Sequence, residues 1–386
     1  MTHTGKLALT RLTLTDFRNY AGLRLEVGGR MVVLTGPNGA GKTNLLEAIS
    51  LLAPGRGLRG AAFEDLARQG GSGTWAISVE AETLHGPIRL GTGWSGQGEG
   101  EAAGQGRLVL IDGHVQKGSG ALAQFIRVLW LTPAMDRLFA GPASDRRRFL
   151  DRLVAAFDPE HAARISVFEK VMRDRNLLLE DPRADGTWLD SLEAHMAEAA
   201  IAIAAARLTA LEELRRYIAE ARETSQFPWS YISLEGEVEA LVSAMPAVRA
   251  EDEYRRLLCD SRRQDRGAGR TLSGPHRSDL AVTHGPKSMP AGLCSTGEQK
   301  ALLIGLILAQ ARAVSGVSGI PPLLLLDEVA AHLDRERRHG LFTALAALGC
   351  QAWMTGTDVE LFADLGRDEL VFHVEDGAVS DVKRSG

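Results

Sequence analysis

The sequence has no disulfide framework. Its three cysteines, Cys259, Cys294 and Cys350, lie far apart and form no CxxC pair, so a reducing cytosol fits best. A long apolar run is also missing. The longest, residues 301–309, is interrupted by Gly305 and stopped by Gln310, well short of the ~18 residues that span a bilayer, so no membrane partner is expected. The opening Met1-Thr-His-Thr-Gly-Lys has no charged-then-apolar signal pattern, and no internal repeat is visible. Charge of one sign is not in excess either. The net charge of −5 over 386 residues excludes a chain coated in basic charge, yet allows a local basic patch. What remains is 45% hydrophobic and 24% charged residues, enough for a sizeable core and against wholesale disorder. The length suggests two or three structural units.

Hydrophobic patterning gives the order of elements. Leu7, Leu9, Leu12 and Leu14 among Thr and Arg, and the alternating segment 23–27, predict strands. Residues 31–35 form a continuous apolar run, as a buried strand should, and lead into Gly36-Pro-Asn-Gly-Ala-Gly41. Segment 42–52 reads as a helix with Leu45, Leu46, Ile49 and Leu52 on one face. Further strands are expected at 75–79, 88–90, 108–111 and 125–131, with the Gly/Gln-rich stretch 91–106 as a flexible surface loop. From Ser144 the texture turns helical. Residues 187–226 contain neither Gly nor Pro, and Leu189, Leu192, Met196, Ala199, Ile203, Ala206 and Ala210 recur at 3/4 spacing. A helix of ~36 residues would be ~54 Å long; it is either a buried bundle helix or a short antiparallel arm projecting from the first domain. A strand at 229–234, a helix at 251–263 and an Arg/Gly segment at 262–270 follow. The apolar run 321–326 ends in two carboxylates, and strands at 351–355 and 369–374 close the pattern.

Three motifs carry chemistry. Gly36, Pro37, Asn38, Gly39, Ala40, Gly41, Lys42 and Thr43 match G-x-x-x-x-G-K-[ST] in full. The glycines let successive N–H groups curl around a phosphate chain, Lys42 reaches the β- and γ-phosphates of ATP, and Thr43 offers its hydroxyl to Mg²⁺. The helix N-terminus adds its dipole. Asp327 and Glu328, at the end of the second buried strand, fit the partner carboxylates: Asp327 for Mg²⁺, directly or through water, and Glu328 to polarise the attacking water. Leu293-Cys-Ser-Thr-Gly-Glu-Gln-Lys300 resembles the ABC-ATPase signature, with Ser295 and Gly297 in the usual places ahead of an apolar helix. In that superfamily the signature of one subunit caps the γ-phosphate held by the other. The first and second motifs stand almost three hundred residues apart, so something is inserted between them, and the helical stretch from Ser144 supplies it.

The resemblance narrows on further residues. Asp16-Phe-Arg-Asn-Tyr20, the loop 36–43 with its following Asn-Leu-Leu-Glu-Ala-Ile, Asp145-Arg-Arg-Arg-Phe-Leu-Asp151, Ser273-Gly-Pro-His-Arg-Ser-Asp-Leu280, Ser295-Thr-Gly-Glu-Gln-Lys300 and Leu326-Asp-Glu-Val-Ala-Ala-His-Leu-Asp334 together resemble the RecF family of bacterial repair ATPases, related to the heads of SMC and Rad50 proteins. The resemblance implies an α/β fold: an ABC-type P-loop ATPase head of mixed sheets with helices and an inserted helical arm. It divides the chain into an N-terminal ATPase part at 1–143, a helical arm at 144–250 and a C-terminal ATPase part at 251–386. It further implies an ATP-dependent homodimer that binds DNA at gaps and single/double-strand junctions, and works with RecR and RecO to load RecA in the cytoplasm. By position, Arg18 and Asn19 would lie near the nucleotide, and segment 331–334 would form the D-loop. The switch region Met354-Thr-Gly-Thr357 lacks the His that many ABC ATPases place there, which predicts slow hydrolysis. A glutamine loop is not assignable beyond the neighbourhood of Thr132-Pro-Ala-Met-Asp136.

DNA contact has to be argued against the net acidity. The local basic candidates are 146–148 and the span 255–277, within which Arg262, Arg263 and Arg266 stand closest together. Arg suits bidentate phosphate contacts, while surface solvation or pairing with the acidic arm is the plainer reading. No recognition helix or zinc spacing points to base readout. A transporter ATP-binding subunit shares the nucleotide motifs, but it places its signature nearer the phosphate loop and has no long helical insertion.

Overall fold

The computed structural model describes residues 7–28, 31–96, 106–181, 183, 185–331, 333–365 and 369–382. In chain order these form strands β1 (Ala8–Phe17), β2 (Tyr20–Glu26) and β3 (Met31–Thr35), helix α1 (Lys42–Ser50), and strands β4 (Trp75–Thr83), β5 (Gly86–Trp94), β6 (Leu108–Ile111), β7 (His114–Val115) and β8 (Val128–Leu131). Helices α2 (Ala143–Phe157), α3 (His161–Glu180) and α4 (Gly186–Ala221) follow, then β9 (Ser230–Glu235), α5 (Glu237–Ala244), α6 (Ala247–Ala268), β10 (Asp279–His284) and β11 (Met289–Pro290). The chain ends with α7 (Thr296–Ser318), β12 (Leu323–Leu326), α8 (Arg335–Leu348), β13 (Ala352–Gly356), β14 (Glu369–Glu375) and β15 (Ala378–Asp381).

Two compact units result. The first joins Met1–Asp136, Ala221–Pro228 and Ser295–Gly386. It holds one sheet ordered β15-β14-β3-β13-β12-β8, parallel except for β15, and an antiparallel sheet ordered β2-β1-β4-β5-β6-β7. The parallel strands read as apolar runs because both faces are covered; β12 and β13 are buried along their whole length. Gln351 ties this sheet to the antiparallel one: its side-chain amide accepts from Leu9 N and donates to Leu9 O, both at 3.0 Å. Helix α7 is buried on nearly every side, and segment 221–228 returns to this unit to pack on it. A Cβ at Gly305 would sit 3.3 Å from the Phe227 side chain, so the break in the apolar run is a place where two segments meet closely.

The second unit is Arg137–Glu220 with Trp229–Cys294. Its core gathers Phe168, Met196, Ala200, Ile203, Val238, Tyr254 and Leu258 from α3, α4, α5 and α6. Burying each large side chain there contributes roughly 1.5–3 kcal/mol. The long helix α4 has 36 residues, as its spacing predicts, and its apolar face lies inside this core. A three-stranded antiparallel sheet, β11-β10-β9, completes the unit.

Three sequence expectations are corrected. The stretch 251–294, expected in the ATPase domain, belongs to the inserted unit, because α6 packs in the core of α3 and α5 and β10 pairs with β9 along its length. The Arg/Gly segment after 262 is helical through Ala268, where Gly269 closes α6 in a left-handed cap. Strand β5 runs on to Trp94 into the expected loop, with Gly93 letting the chain pass where a Cβ would meet Trp75 O at 2.8 Å; residues 97–105 of that stretch lie outside the described residues. Helices α4 and α7 are each long and apolar enough to cross a membrane, and most of the apolar window of each is buried within the protein.

Candidate nucleotide site

The phosphate loop hangs between β3 and α1. Gly36 adopts φ +138°, and a Cβ there would lie 2.1 Å from Val374 O of the neighbouring β14, so the loop leaves the sheet only through glycine. At its far end Gly41 takes φ +114°, with the side chains of Asn19 and Tyr20 where a Cβ would go. Lys42 follows at once. Its side chain is almost buried and curls back, donating to Gly36 O at 2.7 Å and Pro37 O at 3.0 Å, with Glu328 Oε1 3.8 Å away. The ammonium thus spans the mouth of its own loop.

Four groups converge below it. The Thr43 hydroxyl donates to the Asp327 carboxylate, 2.9 and 3.1 Å from its two oxygens. Thr355, at the end of β13, donates to Asp327 Oδ1 at 2.8 Å, and its oxygen accepts from the Glu328 N–H at 2.8 Å. Asp327 N in turn donates to Leu131 O at the end of β8. Three parallel strands therefore end at one carboxylate, as open α/β sheets do at the carboxyl ends of their strands. Glu328 sits at φ +50°, a left-handed conformation that is costly for a residue with a side chain, and Thr355 helps to hold it there. All the oxygens around Thr43 and Asp327 are hard donors, a set that suits Mg²⁺.

A second set of residues braces the loop and α1. Asn19 donates to Ala40 O at 3.1 Å and accepts from Asn44 at 2.7 Å, and the Tyr20 hydroxyl donates to Gly41 O at 3.1 Å. Burial pushes the Tyr20 phenol pKa far up, so it stays a donor. Arg18, expected near the nucleotide, clasps the fully buried Glu47 of α1 through two bonds of 2.8 Å. Arg59 reaches the same carboxylate at 2.8 Å and Asn44 at 2.7 Å. An isolated carboxylate on the inner face of α1 would be destabilising, so both guanidiniums are held there and Arg18 acts on the helix that frames the loop. At the other end of α1, Arg107 donates to the carbonyls of Leu51, Ala53 and Gly55, a cation where the helix dipole favours one; burial draws its pKa down to about 10.

The signature residues sit at the start of α7. Ser295 caps the helix in a reciprocal box with Glu298, and its hydroxyl lies 2.9 Å from Glu298 Oε2. Ser295, Thr296 and Gly297 are exposed, and a Cβ on Gly297 would meet nothing within 4 Å. One turn on, the buried Lys300 donates to Ala331 O at 3.0 Å and Glu328 O at 3.4 Å, and its Nζ lies 3.9 Å from Asp136. This links the signature helix to the turn that carries Glu328. Of the expected D-loop, Asp334 caps α8 through the Arg337 N–H at 2.8 Å, and His332 lies outside the described residues.

The basic candidates fare differently. Arg262 is closed by ion pairs to Asp190 and Glu193, both at 2.5 Å. Arg266 donates to Leu179 O near the end of α3 at 2.7 Å, and Arg263 is exposed. The acidic face of α4 thus takes up Arg262, as the plainer reading had it. Glu47, Arg59 and Arg107 were missed by sequence reasoning, and Thr355 and Lys300 lay in the quoted switch and signature segments without a role assigned. Glu47 left a trace as a carboxylate flanked by the apolar positions of α1, while Arg59 and Arg107 had no local signal.

The fold and the site define a P-loop ATPase head of the ABC and SMC class. An AAA domain model matches residues 11–69. An SMC head from Pyrococcus furiosus, solved with an extended coiled coil and the C-terminal domain of ScpA, is similar at TM-score 0.51 and 14% identity, covering 98% of this chain and 96% of that one. A structure of the recombination mediator protein RecF-ATPrS in the RecFOR pathway is similar at TM-score 0.85 and 22% identity, covering 98% of each chain. In sequence, the DNA replication and repair protein RecF of Mesorhizobium japonicum is 53% identical over 372 residues, 96% of this chain and 97% of its own. That of Brucella suis is 51% identical over 378 residues, 98% of this chain and 97% of its own. The chain belongs to the RecF family.

Proposed function

We propose that this protein is an ATP-dependent DNA-binding protein of recombinational repair and replication restart, in which ATP drives dimerisation on DNA at gaps and junctions and slow hydrolysis releases it. The observation that carries this reading is the cluster of Lys42, Thr43, Asp327, Thr355 and Glu328, hydrogen-bonded or in near contact at the ends of parallel strands. The loop 36–43 would hold the phosphates, with Lys42 moving from its own carbonyls to the β- and γ-phosphates. Thr43 and Asp327 would hold Mg²⁺, which supplies charge neutralisation across the phosphates. Glu328 would orient the attacking water by accepting its hydrogen bond. The switch region Met354-Thr-Gly-Thr357 lacks the His that many ABC ATPases place there, and the hydroxyl of Thr355 within it is committed to Asp327 and Glu328; that favours slow turnover.

The exposed start of α7 supports a second role. With the Glu298 carboxylate displaced from its capping box, the Ser295 hydroxyl and the N–H groups that open α7 would make an anion site, which in a dimer would cap the γ-phosphate of the opposite subunit through Ser295 and Gly297. Membership of the RecF family supports, as part of this reading, partnership with RecR and RecO in loading RecA and support of the SOS response. The test is binding of the full chain to gapped and to plain duplex DNA, with and without ATP, followed by fluorescence anisotropy. Tighter, ATP-dependent binding to the gapped substrate is expected; equal binding with and without ATP would overturn the proposal.

A further inference from the structure

Two basic stretches distant in sequence meet in the second unit. The segment 273–279 is braced from below. The Tyr254 hydroxyl donates to Ser273 O at 3.0 Å, Arg207 donates to Pro275 O at 2.8 Å, and Ser278 donates to the buried Glu239 at 2.6 Å. Gly274 takes φ +142° where a Cβ would lie 2.6 Å from the Tyr254 oxygen. A loop held at this many points carries its exposed side chains on a rigid mount, which is how binding residues are usually presented.

The charges on that mount are unevenly matched. Arg207 is paired with Asp151 and Glu239, each at 2.9 Å, and Arg146 with Asp279 at 2.6 Å. Arg147 and Arg277 have no carboxylate partner among the described residues. Arg147 uses one donor on Ser278 O at 2.9 Å, the carbonyl that follows Arg277, and Arg277 itself is exposed. Partial burial holds the Arg147 pKa down; Asp279 and Asp151 oppose this, while the cations Arg207 and Arg277 add to it. Two guanidiniums on adjoining segments, neither in direct contact with a carboxylate, repel each other, and an anion bridging them relieves that repulsion. The planar fork of Arg matches a phosphate group in two bonds.

We propose that Arg147 and Arg277 form a paired-guanidinium seat for one phosphate of a nucleic-acid backbone. This rests on the DNA-binding reading above and names where the backbone is held: on the braced loop of the second unit, and not at Arg262, whose guanidinium is ion-paired with Asp190 and Glu193. The contact reads charge and not base identity, so its signature is salt dependence.

The experiment measures binding of the full chain with ATP and Mg²⁺ to a labelled gapped duplex between 50 and 200 mM salt. The proteins are wild type, Arg277→Ala, and Arg147→Ala with Arg277→Ala. Losing a charge-assisted bond to phosphate should weaken binding about tenfold in the single variant. The double variant should be weaker still, with a salt slope shallower by ~0.9, the value for one phosphate on duplex. ATP affinity, read with a fluorescent analogue, should be unchanged in all three and shows that the variants are folded. Wild-type affinity and slope in the double variant would overturn the seat and leave the DNA reading standing. A wild type with no DNA affinity at any salt would overturn both. A wild type that ignores DNA but holds poly-glutamate through these two arginines would reassign the pair to an acidic protein surface and overturn the proposal.

Discussion

Thr355→Val tests whether the end of β13 controls turnover. Valine keeps the shape of threonine and removes only the hydroxyl. Two hydrogen bonds vanish: the one donated to Asp327 at 2.8 Å and the one accepted from Glu328 N at 2.8 Å. A neutral bond contributes about 0.5–1.5 kcal/mol net, and one to a charged group about 1.5–3 kcal/mol. The loss bears on a turn already under load, since Glu328 holds φ +50° and a left-handed residue with a side chain costs roughly 1–2 kcal/mol. Removing about 1.4 kcal/mol of support lowers the population of the competent turn about tenfold, and turnover with it. Nucleotide affinity should change by less than about threefold, because Lys42 and the glycine loop are untouched, an interaction lost in the turnover step alone. Single-turnover hydrolysis and binding of a fluorescent ATP analogue separate the two effects, and Thr355→Ser should restore most of the rate. A valine variant that hydrolyses ATP within twofold of wild type would refute the reasoning.

Glu328→Gln keeps size and hydrogen bonding but loses the carboxylate that orients water; ATP should still bind, turnover should fall at least about a hundredfold, and gel filtration should show a longer-lived ATP dimer. Ser295→Arg places a bulky cation at the exposed start of α7, so nucleotide affinity should survive while the ATP-dependent dimer is lost, again by gel filtration. Arg262→Ala removes one of the two guanidiniums that pair with the nearly fully buried Glu193, leaving Arg175 at 2.9 Å; thermal unfolding should come a few degrees earlier, with the salt dependence of DNA binding unchanged.

How much of this was legible in the sequence depends on how local each signal is. The phosphate loop, Asp327 and Glu328 were readable because the chemistry needs adjacent residues: Gly41, Lys42 and Thr43 stand side by side, and the carboxylates directly end an apolar strand. The 36-residue length of α4 was readable because Gly and Pro are absent from 187–226 and apolar residues keep helical spacing. Its burial was not, since the same periodicity serves a bundle or a projecting arm. Thr355 was hidden because its role comes from the parallel register of β13 beside β12, a pairing of segments that no window of sequence contains. The partner of Arg18 was hidden for a related reason. Its neighbour Asn19 does reach the loop, but the fork of Arg18 meets a buried carboxylate on α1 first. Arg262 looked available within an arginine-rich stretch, and its partners Asp190 and Glu193 lie on another helix.

The most direct test of the central claim is sedimentation velocity of wild type and Lys42→Ala with and without ATP. Lys42 lies across the mouth of the loop and beside Glu328, so its loss should abolish both nucleotide binding and everything that depends on it. Wild type is predicted to sediment as a monomer alone and as a dimer with ATP, and Lys42→Ala as a monomer in both. A Lys42→Ala protein that dimerises on ATP as wild type does would contradict the account.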